Sequence, residues 1–322
     1  MKKIAILGGG AFGLALANVL IDNNKLCVWW REEDSFEDVN SALRKKLFMP
    51  DVDFNPDICL STDIEAVIDG ASIVIIAVPS GAIRDVISKI KGIDSNAIIV
   101  STSKGIECET LMTYTAVIKE ILPNNPVCYL TGPSHAEELG LFKLTALMVG
   151  GTDEGAVNVC MDVFKSPKLI LKSSNDPVGM EICAAFKNLV ALAMGISDGM
   201  ECGDNTKAII FTIGLEEMRE LCNTIAGKSG LVYSYAGVGD LYVTTSSIHS
   251  RNKKAGFYIA EGNNFKEASE LVGQLVEGIN NFESVKGLFN KHGIDSKIVK
   301  ILDSANNKNL DKHELHKILK GE

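Results

Sequence analysis

Short runs of Val, Ile and Leu recur through the first half of the chain: Ile4–Leu7, Leu26–Trp30, Ile73–Val78, Ala97–Ser101, Val127–Leu130, Ala146–Val149 and Leu169–Leu171. Runs this short, apolar at every position, are the pattern of strands buried on both faces. Between them lie stretches with helical spacing: Gly13–Ile21, Ile83–Ile90, Leu111–Ile121 and Gly155–Phe164. Strand–helix alternation predicts an α/β fold with a mainly parallel sheet covered by helices on both faces. The alternation stops at Asn175-Asp176-Pro177, a helix-starting string because Pro suits the first helical position. Beyond it the pattern is helical, in long segments at Val178–Met194 and Thr206–Ile225. Shorter ones follow at Asn252–Ala260, Phe265–Leu271, Asn281–His292 and His313–Leu319. The expected organisation is therefore an α/β domain over residues 1–176 and an all-α domain over 177–322, with no repeat or low-complexity linker between them.

The first glycine cluster gives the α/β domain a task. Gly8-Gly9-Gly10-Ala11-Phe12-Gly13 fits G-x-G-x-x-G, follows a predicted strand and opens a predicted helix. In that context Gly8 allows a tight turn, Gly10 lets backbone approach a pyrophosphate, and Gly13 lets the helix pack on the sheet. The helix N-terminus then offers free N–H groups to the phosphates. A ribose reader belongs at the end of the second strand, where Arg31 is followed by Glu32, Glu33 and Asp34. Arg31 suits adenine stacking or a 2′-phosphate, whereas the acidic run disfavours that phosphate, so NAD and NADP both remain open.

Composition narrows the partners. The 322 residues carry 32 Lys and Arg against 41 Asp and Glu, a net charge of −9, the wrong sign for a broad nucleic-acid surface. An anionic ligand must be held by local donors. The most apolar stretch, Val178–Ile196, includes Glu181, Lys187 and Asn188, so no integral membrane segment is expected. Ile4–Leu7 is too short for the roughly 7–15-residue core of a signal peptide, and the expected setting is cytoplasmic. The eight cysteines form no C-x-x-C pair, and several, Cys27, Cys128 and Cys183 among them, sit in apolar runs. They are expected to be small buried thiols, with neither a disulfide framework nor a metal site.

Two polar sites interrupt the helical half. Lys187-Asn188 lies inside an apolar helix, where burial is costly and lowers a lysine's pKa toward the range useful for proton transfer. Gly237-Val238-Gly239-Asp240-Leu241 runs through Thr244-Thr245-Ser246-Ser247 to Ser250-Arg251-Asn252. It reads as a donor-rich loop leading into a helix, with an arginine fork suited to phosphate oxygens. In an open α/β sheet ligands lie beyond the carboxyl ends of strands, so Lys104 and Ser134, in the loops Ser103-Lys104-Gly105 and Gly132-Pro133-Ser134, are candidate neighbours of the cofactor.

Together these strings resemble the bacterial NAD(P)-dependent glycerol-3-phosphate dehydrogenases over nearly the whole chain. The marks are the glycine turn, Val78-Pro79-Ser80, Ser103–Glu107, Gly132–Glu137, Lys187-Asn188, Gly203–Ala208, Gly239–Asn252 and Val276-Glu277-Gly278. The resemblance implies a Rossmann domain followed by a helical domain, often as a homodimer. It implies reversible reduction of dihydroxyacetone phosphate to sn-glycerol 3-phosphate, a phospholipid precursor, with NAD or NADP. It places the catalytic lysine at Lys187, and substrate contacts at Lys104, Gly132, Ser134, Lys187, Asp240, Ser250, Arg251 and Asn252. Cofactor contacts fall on Gly8, Gly10, Ala11, Phe12, Gly13, Arg31, Lys104, Ala136, Arg251, Leu275 and Glu277. Departures are Ala11 and Phe12 where the family commonly has Ser then Trp or Tyr, Glu32 where a second basic residue is common, and Thr245 in place of Cys. Competing readings are a 3-hydroxyacid or phosphogluconate dehydrogenase of similar architecture, and a nicotinamide-nucleotide sensor without turnover. Ser250-Arg251-Asn252 and Gly132–Glu137 weigh against the first, and the intact Lys104 and Lys187 against the second.

Overall fold

The computed structural model describes residues 1–31, 49, 51–247 and 250–322; Glu32, Glu33 and Asp34, which bear on the ribose, lie outside them. The chain divides into two compact units. The first comprises Met1–Ser103 and Tyr114–Pro177, the second Lys104–Thr113 and Val178–Glu322.

The first unit is built on eight strands among the described residues: β1 (Lys2–Leu7), β2 (Asn24–Trp29), β3 (Cys59–Ser61), β4 (Ile73–Ile76), β5 (Ile98–Ser101), β6 (Val127–Thr131), β7 (Thr145–Gly151) and β8 (Leu169–Ser174). Their order in the sheet is β3-β2-β1-β4-β5-β6-β7-β8. Ile4 of β1 stands between Leu26 of β2 and Ile73 of β4, and this register buries Ile4, Ile6, Val28, Ile73 and Ile75. All neighbours run parallel except β6 and β7, which are antiparallel. The linking helix Ala136–Gly140 has five residues and spans about 7–8 Å.

β3 is not foreseen, because Cys59-Leu60-Ser61 has a single aliphatic residue and lies at the sheet edge. The helix expected from Leu111 begins at Tyr114, since Leu111 adopts a left-handed φ of 57° in a tight loop closed by Glu107 N–H to the Met112 carbonyl. The sequence reading makes Cys27 a free buried thiol. The structure pairs it with Cys59, its register partner on the neighbouring strand.

The second unit is helical. Its axis is the helix Pro177–Gly199, whose residues Phe186, Leu189, Val190 and Ala193 are fully buried. By length and composition this helix could cross a bilayer, but the apolar stretch is wholly buried in the unit's own core. Against it lies the helix Arg251–Ala260, at a close backbone crossing. A Cβ on Gly195 would fall 2.0 Å from the Lys253 carbonyl, and one on Gly256 2.2 Å from that of Leu192. The ten residues Lys104–Thr113, expected with the sheet, belong to this unit because Ile106, 2% exposed, joins its core.

Candidate active site

The glycine turn of the first unit connects β1 to the helix Ala11–Leu20. Gly8 has φ +122°, and a Cβ there would lie 2.5 Å from the Ala77 carbonyl. A Cβ on Gly13 would meet the Gly8 carbonyl at 2.1 Å, so this helix packs directly on the turn. Gly10 caps the helix, is exposed, and has open space where its side chain would be. The first helical turn carries no acidic residue and no side-chain cap. Its N–H groups at Ala11, Phe12 and Gly13 therefore face an approachable, electropositive end. The cradle fits a pyrophosphate.

The other candidates of this unit are positioned by strand ends. Arg31 is exposed just beyond β2, where Trp30 N–H bonds the Ser61 carbonyl at 2.9 Å and fixes the chain's exit. Gly132 follows β6, and a Cβ there would lie 2.3 Å from the Ala146 carbonyl. Ser134, 8% exposed, donates to the Gly132 carbonyl at 3.1 Å, and Ala136 opens the next helix. Ser103 Oγ donates to the Val78 carbonyl at 2.7 Å, tying the loops after β5 and β4 together. The loops after β1, β2, β4, β5 and β6 thus share the carboxyl edge of the parallel strands.

The second unit holds a buried charge cluster. Lys187, 3% exposed, donates from Nζ to Asp240 Oδ1 at 2.5 Å and to Thr244 Oγ1 at 2.7 Å. Asp240, 1% exposed, accepts from Lys104 Nζ at Oδ2, 3.1 Å away. Two lysines therefore share one carboxylate. Asp240 is the first residue of the helix Asp240–Ser246, which the sequence reading treats as loop. That helix spacing brings Thr244 under Asp240, and Thr244 Oγ1 also donates to the Asp240 carbonyl at 2.6 Å.

The electrostatics follow from burial and from the two-to-one charge ratio. Burial pulls Lys187 down to about 7; Asp240 opposes this, and the positive charge of Lys104 adds to it. Burial also works against the charge on Lys104, but Asp240 and Glu277 outweigh it and raise that lysine. Asp240 is held below the usual carboxylate range because the two lysines overcome its burial. Lys187 is therefore the member of the cluster whose proton is exchangeable near neutrality.

A second chain of contacts runs alongside. Asn252 Nδ2 donates to Asn188 Oδ1 at 2.9 Å, and Gly278 N–H donates to Asn252 Oδ1 at 2.8 Å. Asn188 Nδ2 reaches the Ala184 carbonyl at 3.2 Å and Glu277 Oε2 at 3.4 Å. Ser250 caps the helix Arg251–Ala260 by accepting from Lys253 N–H, and Arg251, its first residue, is exposed. Lys104, Lys187 and Asp240 are thus in direct contact, and Asn252 and Glu277 meet through Asn188. Leu275 is exposed and precedes the buried Val276. From sequence, Thr244 belongs only to the donor-rich string, whereas the structure sets it on Lys187; no role is foreseen for Asn281, whose amide donates to the Lys104 carbonyl at 2.9 Å. Thr244 was detectable as the residue four after Asp240; Asn281 has no local signal.

A dinucleotide cradle at the carboxyl edge of a parallel sheet, with a separate helical unit that buries a titratable lysine, defines the class of two-domain nicotinamide-dependent dehydrogenases. Residues 3–157 match the family of the NAD-dependent glycerol-3-phosphate dehydrogenase N-terminus, and residues 176–317 that of its C-terminus. The chain is 39% identical over 300 residues to the NAD(P)+ glycerol-3-phosphate dehydrogenase of Thermoanaerobacter sp., covering 92% of this chain and 90% of that one. It is also 39% identical over 281 residues to that of Clostridium acetobutylicum, covering 87% and 85%. The crystal structure of a glycerol-3-phosphate dehydrogenase from Coxiella burnetii superimposes with a TM-score of 0.91 at 29% identity, covering 99% of this chain and 98% of the other. The chain belongs to the NAD-dependent glycerol-3-phosphate dehydrogenase family, whose cofactor is NAD or NADP.

Proposed function

We propose that this protein catalyses the reversible, NAD(P)H-dependent reduction of dihydroxyacetone phosphate to sn-glycerol 3-phosphate, with Lys187 as proton donor. The observation that carries the reading is the buried Lys187, held by Asp240 beside a second lysine and brought to a pKa of about 7. Family membership supplies the substrate class.

The cofactor, when bound, supplies or accepts the hydride. The protein's own residues do the rest. Gly8, Gly10, Ala11, Phe12 and Gly13 would hold the pyrophosphate, with Arg31 toward the adenosine end; Gly132, Ser134 and Ala136 would line the rest of the edge. Residues 1–176 would thus bind cofactor and 177–322 substrate, with Lys104 as an outlying member of the latter. Asp240 and Thr244 occupy two of the three Nζ hydrogens of Lys187, leaving one for the substrate oxygen. As the carbonyl gains electrons, Lys187 gives that proton to the forming hydroxyl; in the reverse direction its amine takes the proton back. Lys104 keeps the Lys187 proton acidic and, through Asp240, keeps the geometry fixed.

The phosphate grip would be Ser250, Arg251 and Asn252 at a helix start, aided by the helix N–H groups. Asn252 has spent its carbonyl on Gly278 and one amide hydrogen on Asn188, so one hydrogen remains for a phosphate oxygen. Leu275 and Glu277 would complete the cofactor contacts, as would Lys104 and Arg251. The same reading makes the protein a cytoplasmic homodimer that feeds phospholipid synthesis; light scattering tests the dimer. The activity is tested by following NADH or NADPH oxidation spectrophotometrically with dihydroxyacetone phosphate. No oxidation with either cofactor refutes it.

A further inference from the structure

The sequence assigns no task to Asn281, yet it is 2% exposed and polar, and its side chain is committed. It stands at the elbow between the helices Glu277–Asn280 and Phe282–Lys291. Its backbone is pinned on both sides: its N–H bonds the Glu277 carbonyl at 2.9 Å, and its own carbonyl accepts from Ser284 Oγ and Val285 N–H, each at 3.0 Å. From this fixed point Nδ2 donates to the main-chain carbonyl of Lys104 at 2.9 Å. The next residue, Gly105, leaves the space the amide needs. A Cβ there would fall 2.3 Å from Asn281 Oδ1 and 2.8 Å from Cγ. No other residue type fits at 105 while Asn281 holds this position.

Lys104 is thus tethered at two points, its ammonium to Asp240 and its carbonyl to Asn281. The second tether matters because Lys104 begins a loop, Lys104–Thr113, held otherwise by Ile106 in the core, the Ile106–Thr113 bridge and Leu111 against Gly287. All of those lie two or more residues downstream, and upstream the chain is held at Ser103 by its Oγ to the Val78 carbonyl and by Tyr129 Oη on its own carbonyl, so Asn281 is the contact that fixes the Lys104 carbonyl itself. We propose that Asn281, with Gly105 as its steric partner, is a positioning residue that sets where the Lys104 ammonium sits against Asp240 and Lys187. Asn281 touches no reacting atom; it acts through Lys104. The proposal rests on the reading of Lys104 and Lys187 as members of the active site.

The charged groups bearing on Lys187 are Asp240 and Lys104, with Glu277 bearing on Lys104. Letting Lys104 drift away removes a neighbouring positive charge, so the pH at which Lys187 loses its proton should rise. The experiment measures kcat, KM for dihydroxyacetone phosphate, the pH profile of kcat/KM, NADH affinity and Tm in Asn281→Ala, Gly105→Ala, the double variant and Lys104→Met. Displacement of a catalytic group by about 1 Å costs up to about 100-fold, so Asn281→Ala should lose roughly 10- to 100-fold in kcat/KM. Its alkaline limb should move up in pH, while NADH affinity, to which Lys104 is one contact among many, should change by much less than kcat/KM. Gly105→Ala should lose at least as much. The double variant should be more active than Gly105→Ala alone, because truncating Asn281 makes room for the new methyl group.

Additive losses in the double variant would overturn the steric pairing. A lowered Tm with kcat/KM and the pH limb unmoved would make Asn281 merely structural and overturn the proposal. If Lys104→Met is inactive while Asn281→Ala stays within about twofold of wild type, a negligible change in barrier, the positioning role fails and the functional reading stands. If Lys104→Met itself stays within about twofold, the role of Lys104 in that reading fails, and this proposal with it.

Discussion

At the scale of single residues, Lys187 carries the sharpest expectation. Burial brings its pKa to about 7, so below that pH it is an ammonium and above it an amine. Reduction needs the ammonium; kcat/KM for dihydroxyacetone phosphate should be level below about pH 7 and fall as pH rises through it. Oxidation of sn-glycerol 3-phosphate needs the amine and should show the opposite limb. Lys187→Ala should lose about 10²–10⁴-fold in kcat, the usual contribution of a positioned acid or base, while still binding NADH. Retention of more than about a tenth of the activity would remove Lys187 from the proton path. Arg251 is the other single-residue test. Charge-assisted contacts to phosphate are worth roughly 1.5–3 kcal/mol, and an unpaired phosphate costs more. Arg251→Ala should therefore lose about 100-fold or more in kcat/KM on the phosphorylated substrate, and much less on dihydroxyacetone. Arg251→Lys should restore only part, because an ammonium lacks the planar fork. Equal losses on both substrates would show that Arg251 serves the cofactor or the fold.

At the scale of elements, the helical unit is joined by a carboxylate. Glu217, from the helix Gly203–Ala226, accepts from Ser296 Oγ and Lys297 N–H at 2.6 Å each, and so caps the helix Lys297–Asn306. Burial pushes Glu217 up to about 7 despite these donors. A carboxyl raised in the folded state binds its proton more tightly there than in the unfolded chain. Its contribution to stability is therefore complete below about pH 4.5, the ordinary value, and is lost as pH rises through about 7. Calorimetric Tm should drop between pH 5 and 8 in the wild type by more than in Glu217→Gln, whose amide does not titrate; parallel curves would refute this. The same elements show what sequence can carry. β1, β4, β5 and β7 are legible because strands buried on both faces need aliphatic residues at every position. β3 is not, because a three-residue edge strand needs almost none. Lys187 stands out because an apolar helix surrounds it. Asn281 is silent: it is ordinary in its own stretch and acquires meaning only where an elbow aims it at Lys104, far along the chain.

At the scale of the whole molecule, the two compact units are not two continuous pieces of sequence. A fragment 178–322 lacks Lys104–Thr113, and with it Ile106 from the core and Leu111 beside Gly287. Loss of a buried Ile or Leu side chain costs about 2–5 kcal/mol, so the fragment should melt well below the intact protein. A synthetic peptide of residues 104–113 added to it should raise the Tm. No effect of saturating peptide would mean that the loop is a passenger. The excursion also bears on inheritance. A recombination event near residue 177 between two related genes would seem to swap whole domains, yet it would draw Lys104 and Gly105 from one parent and Lys187, Asp240 and Asn281 from the other. Viable hybrids are expected only where both parents already agree at those five positions.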